Sequence, residues 1–243
     1  EIKIFSVTDH DNTENVEVAR TLAKDAGLKF VPGVEVNSSL GGYNYHILGY
    51  GIDYNNEALS VFLKGNRDML EKKDDDCILF LEGKCPGVRL SEYKEYIDNK
   101  ARGGWKALNY VMDKGLCTDY RGFFDLFRAL GMFFNEVTFP SPQKVVEIIK
   151  QAGGVPILAH PGASFYPKDY EDTLNRLLNE GIMGIECYHP ENSLEITSYC
   201  TDFCKKNNLF ITGGSDCHGE FVKSRRLGLP DIRLEHLYLG ELL

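Results

Sequence analysis

At both ends of the chain, short apolar runs alternate with stretches in which apolar residues recur every three or four positions. Ile2–Val7 reads as a strand. Thr13 can cap a helix running to about Ala26. Val16, Ala19, Leu22, Ala23 and Ala26 fall on one face of that helix, and Gly27 is its stop signal. Lys29–Val36 reads as the next strand and Tyr43–Tyr50 as another, set off by the turn pair Gly41-Gly42.

The middle of the chain, residues 55–139, changes character to a charged, helical pattern. Helices are expected over Trp105–Lys114, after Gly103-Gly104, and near Tyr120–Leu130. The acidic run Asp74–Asp76 reads as a solvated helix end. Alternation then returns. Pro140-Ser141-Pro142 opens a helix to about Ala152, and Val155–Ala159 follows as a strand. A helix over Tyr170–Glu180, a strand over Met183–Cys187, a helix over Leu194–Lys206 and a strand over Leu209–Thr212 complete the series. Repeated strand–helix units imply a parallel sheet with helices outside it, open or closed into a barrel. Residues 1–54 and 140–243 are expected to form that α/β body, with 55–139 as an inserted helical subdomain.

Composition narrows the functions available. The formal net charge is −9, which argues against long nucleic acid as a partner but not against a small phosphorylated substrate. The cysteines number seven, an odd count with no Cys-x-x-Cys, and read as free thiols of a cytoplasmic protein. No apolar run approaches the roughly 18 residues of a membrane span, and no signal-peptide pattern opens the chain. The first residue is Glu1 rather than Met, as in a fragment.

Polar residues collect at the ends of the expected strands. Thr8-Asp9-His10-Asp11, Glu35, Ala159-His160-Pro161, Glu186-Cys187-Tyr188-His189 and Gly213-Gly214-Ser215-Asp216-Cys217-His218-Gly219 each follow directly on one. In a parallel α/β fold the carboxyl ends of the strands open on one face, so these distant segments can converge. Imidazole and carboxylate together suit Zn²⁺, Mn²⁺ or Fe²⁺. Taken singly, each has an ordinary explanation: His46, inside an apolar strand, reads as a buried, hydrogen-bonded histidine, and Glu35 as a surface or capping carboxylate. Five strand ends carrying the same residue types do not share such an explanation. Cys200 and Cys204, one helical turn apart, read as core residues, and Cys217 as pointing away from its neighbours.

The strings Thr8-Asp9-His10-Asp11-Asn12-Thr13, Pro32-Gly33-Val34-Glu35, His46-Ile47-Leu48-Gly49-Tyr50, Ala159-His160-Pro161 and Gly213–Gly219 resemble those of the PHP (polymerase and histidinol phosphatase) family. The likeness spans nearly the whole chain, in order. The branch it resembles is that of the stand-alone bacterial phosphoesterases with a helical insertion. The resemblance implies a distorted (β/α)7 TIM-like barrel holding two or three divalent ions (Zn, Mn or Fe). By motif position it implies His10, Glu35, His46, His160, Asp216 and His218 as metal ligands, with Glu35 bridging. It implies Asp216, His218 and His10 as the catalytic residues, Asp9 as a group orienting His10, and Arg102 and His189 as substrate contacts. The family opens with a strand bearing His-x-His, which is not found here. Glu1 stands where the second strand should begin, so a first strand–helix unit of about 30 residues is expected to be missing.

The function so implied is hydrolysis of phosphate esters of nucleotides or similar small metabolites by metal-activated water. The alternatives are 5′–3′ exonuclease action on short oligonucleotides and a non-catalytic regulatory module. A metal amidohydrolase on another barrel fits less well, because no lysine stands in the required strand-end context.

Overall fold

The computed structural model describes residues 2–132 and 137–242. Those residues separate into two compact units: Glu1–Arg67 with Thr138–Cys217 and Ser224–Leu243, and Asp68–Val137 with His218–Lys223.

The first unit is built on strands. β1 (Ile4–Phe5) and β2 (Lys29–Phe30) pair in parallel, joined by helix α1 (Val16–Asp25). β3 (Gly33–Leu40), β4 (Tyr43–Tyr50), β5 (Val155–Leu158), β6 (Gly184–Tyr188) and β7 (Phe210–Gly213) form a five-stranded sheet in that order. A single parallel bridge, His10 to Glu35, ties the segment after β1 to β3. No closed barrel is found among the described residues.

The sheet is mixed, which corrects the expectation of an all-parallel one. β4 runs antiparallel to both β3 and β5, and only β5–β6–β7 run parallel. The cause is local. Gly41 and Gly42 have φ of 61° and 84°, and positive φ at both central residues makes a two-residue hairpin turn. The hairpin reverses the chain at Leu40↔Tyr43 and leaves no room for a crossover helix.

Helices α6 (Pro142–Gln151), α7 (Tyr170–Asn179) and α8 (Leu194–Asn207) belong to this unit. Each begins on a capping side chain: Ser141 accepts from Lys144 N–H, Asp169 from Asp172 N–H and Ser193 from Ile196 N–H. Their apolar faces give two cores. Val145, Ile148 and Ile149 pack with Val34, Val36 and Ile47, while Leu174, Leu177, Cys200 and Cys204 pack with Ile185, Cys187 and Ile211. Helix α1 differs from expectation. It begins after Asn15, not Thr13, and has no side-chain cap; the Asn15 side-chain amide donates to Asp9 Oδ2 at 2.7 Å. Only Val16 and Ala23 of its expected face are buried, and Leu22 is exposed.

The second unit is helical. It takes α2 (Glu57–Glu82) from Asp68 onward, α3 (Leu90–Glu95), α4 (Lys106–Asp113) and α5 (Tyr120–Ala129). Ile78, Leu81, Leu108, Val111, Phe123 and Phe127 make its core. Asp74–Asp76 is not a helix end: the run lies inside α2, where Asp75 pairs with Lys94 and Asp74 faces the Tyr93 hydroxyl. No described helix is long and apolar enough to cross a membrane. Residues 133–136, within the expected helical subdomain, lie outside the described residues.

Candidate metal centre

Glu35 sits mid-way along β3 and His46 on β4. Side chains two apart on a strand share a face, so Glu35 and Asn37 project together, with His46 opposite Asn37 in the ladder. His160 follows β5 directly, and its backbone N–H donates to Glu186 Oε2 on β6 at 3.0 Å. His10 is brought in by its bridge to Glu35.

The donor atoms converge on one carboxylate. Glu35 Oε1 lies 2.8 Å from His46 Nδ1 and 2.9 Å from His160 Nε2, and the two ring nitrogens are 3.1 Å apart. Glu35 Oε2 turns the other way, 3.9 Å from His10 Nε2. Donors around one ion at bond lengths of about 2.0–2.2 Å lie roughly 3 Å apart. The His46–His160–Glu35 spacing fits that geometry, and the two carboxylate oxygens face different histidines.

Burial and charge act strongly here. Burial opposes ionisation of Glu35, but the charge of His10 and hydrogen bonds from His160 and His46 outweigh it and hold the carboxyl well below its usual range. The two neighbouring imidazoles shift in opposite directions. Burial pushes His46 down to about 4 against the pull of Glu35. Burial also opposes the charged form of His160, but the hydrogen bond and charge of Glu35, with Glu186 and Asp216, carry it up to about 9. Charge on one imidazole disfavours charge on the other, which is why the two shift in opposite directions.

Asp216 follows β7, with its carboxylate facing His189 Nε2 at 3.6 Å and paired with Arg225, which also holds Glu191 at 2.5 Å. His189 is buried, and its Nε2, like Nδ1 of His160, has no hydrogen-bond partner. A buried ring nitrogen without a partner is costly unless something else meets it; the orphan His189 Nε2, beside the Asp216 carboxylate, fits an ion or other bound group there. Three non-glycine residues here, Asp11, His160 and Asp216, have positive φ of 48°, 27° and 46°. Each costs about 1–3 kcal/mol, and such strain gathers at functional sites.

His10, Glu35, His46, His160, His189 and Asp216 all belong to the strand-built unit. His218 falls with the helical unit, as does Arg102, whose guanidinium pairs with Asp113 at 2.5 Å. Asp9 Oδ2 accepts from Asn15 Nδ2 at 2.7 Å.

Several supporting residues were not found from sequence. Asp11 is fully buried. It accepts from Asn37 N–H at 3.2 Å, from Asn66 Nδ2 at 2.8 Å and from the Asn37 amide, while Arg67 donates to its carbonyl. Burial raises its pKa against those hydrogen bonds. Glu186, buried and raised by burial, holds the His160 backbone. Its position at a strand end was a usable signal. Asn66, in mid-helix, and Arg225, in a loop, carried none.

No family model matches the chain. A phosphoribosyl 1,2-cyclic phosphate 1,2-diphosphodiesterase of Eggerthella lenta is 27% identical, over 93% of this chain and 87% of its own. A 3′,5′-nucleoside bisphosphate phosphatase of Chromobacterium violaceum is 28% identical, over 93% and 80%. The 5′–3′ exoribonuclease Rnm of Escherichia coli is 24% identical, over 93% and 80%. In structure, the chain resembles a protein of Bifidobacterium adolescentis described as a metal-dependent phosphoesterase, with a TM-score of 0.76 at 22% identity over 90% of this chain and 78% of that one. By name these relatives are hydrolases of phosphate esters, and the chain is similar to them along nearly its whole length. The names and the shared fold agree with the resemblance to stand-alone PHP phosphoesterases drawn from the sequence strings.

Proposed function

We propose that the chain hydrolyses phosphate esters of nucleotides or similarly small phosphorylated metabolites. The observation that carries this is the convergence of His46 Nδ1, His160 Nε2 and Glu35 Oε1 within 3.1 Å of one another. The relatives support the substrate class, since the Eggerthella lenta and Chromobacterium violaceum proteins are named for a cyclic sugar phosphate and a nucleoside bisphosphate.

Two or three divalent ions (Zn, Mn or Fe), held by His10, Glu35, His46, His160, Asp216 and His218, would supply acidified water and charge neutralisation for phosphate. The chain's own residues prepare that place. Glu35 presents one oxygen to His46 and His160 and the other toward His10. Glu186 fixes the His160 backbone. Catalytic roles for Asp216, His218 and His10 belong to the same proposal, as do Arg102 and His189 as substrate contacts. So do a distorted (β/α)7 closure with residues 55–139 as its insertion, and a cytoplasmic setting consistent with seven free cysteines.

Glu35→Gln, assayed for bound metal and for release of phosphate from a nucleoside monophosphate, tests the reading. Retention of both overturns it. A second reading, exonuclease action, is favoured by the exoribonuclease relatives. Faster turnover of a five-nucleotide RNA than of the mononucleotide would select it.

A further inference from the structure

The loop after His160 sets one aromatic ring into solvent beside the candidate ligands. Tyr166 anchors it: the ring is buried, its hydroxyl accepts from the His46 backbone N–H at 2.9 Å, and its centre lies 5.1 Å from that of Tyr45. Ala163 N–H donates to His160 carbonyl at 2.9 Å, Tyr166 N–H to Ala163 carbonyl at 3.1 Å, and Gly162 N–H to Asn192 Oδ1 at 2.8 Å. The loop is therefore tied at both ends. Phe165, between these ties, remains 42% exposed. Its ring centre is 5.2 Å from His46 and 5.9 Å from His160, and it meets Tyr166 edge-on at 4.8 Å.

Scattered exposed apolar residues are ordinary on a protein surface. This one differs in being held rigidly against two of the donor imidazoles, where a substrate ester must lie. We infer that Phe165 is a platform for the organic part of the ester, and that the group it takes is a planar heterocycle such as a nucleobase. The inference rests on the phosphoesterase reading and deepens it. A phenyl ring accepts any base, because every base offers a π-face, and it offers far less to a small alkyl group. The ring spacing means that a phosphate at the donors and a base on Phe165 need be joined by no more than a ribose.

The test is equilibrium binding with Mn²⁺ present, so that turnover does not enter. The probes are the methylenephosphonate analogue of adenosine monophosphate, which resists hydrolysis, and methylphosphonate, which has no base. The unaltered chain should bind the nucleoside probe more tightly. Phe165→Ala and Phe165→Leu should each weaken that probe about tenfold and leave methylphosphonate within about twofold, while Phe165→Trp retains the preference. Equal loss on both probes would make Phe165 a support for the ligands and overturn the inference. No loss on either would overturn it too. A chain that binds methylphosphonate but gains nothing from the base sinks this inference alone, whereas one that binds neither probe sinks the phosphoesterase reading with it.

Discussion

Around Glu35 the strand-built unit encloses carboxylates, imidazoles and amides, whereas around Phe127 the helical unit encloses mostly hydrocarbon and aromatic rings. In the helical unit the buried amide of Asn109 is answered, by Asp98 Oδ1 at 2.7 Å and the Gly103 carbonyl at 3.0 Å. In the strand-built unit Ser6 Oγ, Asn66 Oδ1, His160 Nδ1, His189 Nε2 and Thr212 Oγ1 are buried and have no partner. Among the described residues, every such atom falls on that side. One unit has been packed for stability, and the other holds polar groups ready at a cost that folding alone does not justify.

The largest expected effect is on the polar side. Glu35→Ala removes the oxygens that His46, His160 and His10 share, and should cost turnover about a thousandfold or more together with bound metal. Elemental analysis and single-substrate kinetics measure it, and unchanged metal content would erase the contrast. On the apolar side, Phe127→Ala empties a fully buried position and should destabilise the chain by about 3–5 kcal/mol. Denaturant unfolding reports that loss, while metal content of the folded protein should not move.

A subtler probe of the polar side is Glu186, which acts through the His160 backbone. Glu186→Ala should weaken metal binding about 10–100-fold, and Glu186→Gln, which keeps an acceptor, should recover most of it. Calorimetric titration separates the two variants. The smallest effect concerns Asp74, a half-buried carboxyl of the helical unit raised to about 7, chiefly by burial. A carboxyl raised in the folded state holds its proton there longer than when unfolded. Its contribution is therefore complete below about pH 4 and is lost as pH rises through 7. Asp74→Asn should flatten that slope and stabilise the chain at pH 8 by about 1–2 kcal/mol after allowance for partial exposure. Equal slopes for both forms would show that the unit tolerates this charge.

Much of the local structure was legible because it is set locally. The hydrophobic period marked β4 at Tyr43–Tyr50 without error and the start of α8 at Leu194, and Pro142 marked the start of α6. The same logic failed for α1, which starts after Asn15 with no side-chain cap, and for Asp74–Asp76, whose partners Tyr93 and Lys94 come from another helix. The direction of β4 was also misread, since a strand's period does not say which way its neighbour runs.

For the site, residue type and position after a strand were enough to single out His10, Glu35 and His160, because side-chain chemistry and strand-end placement are both written in one dimension. Their mutual distances were not, and nor was the network of Asp11, Asn37 and Asn66 or the pairing of Arg225 with Asp216 and Glu191. Those contacts join residues far apart along the chain, and neither hydrophobic period nor local propensity carries information about such a partner. The sequence by itself determined which donors this protein owns; the tertiary structure decided which of them share a single carboxylate, because only packing of the strands sets distances of about 3 Å between them.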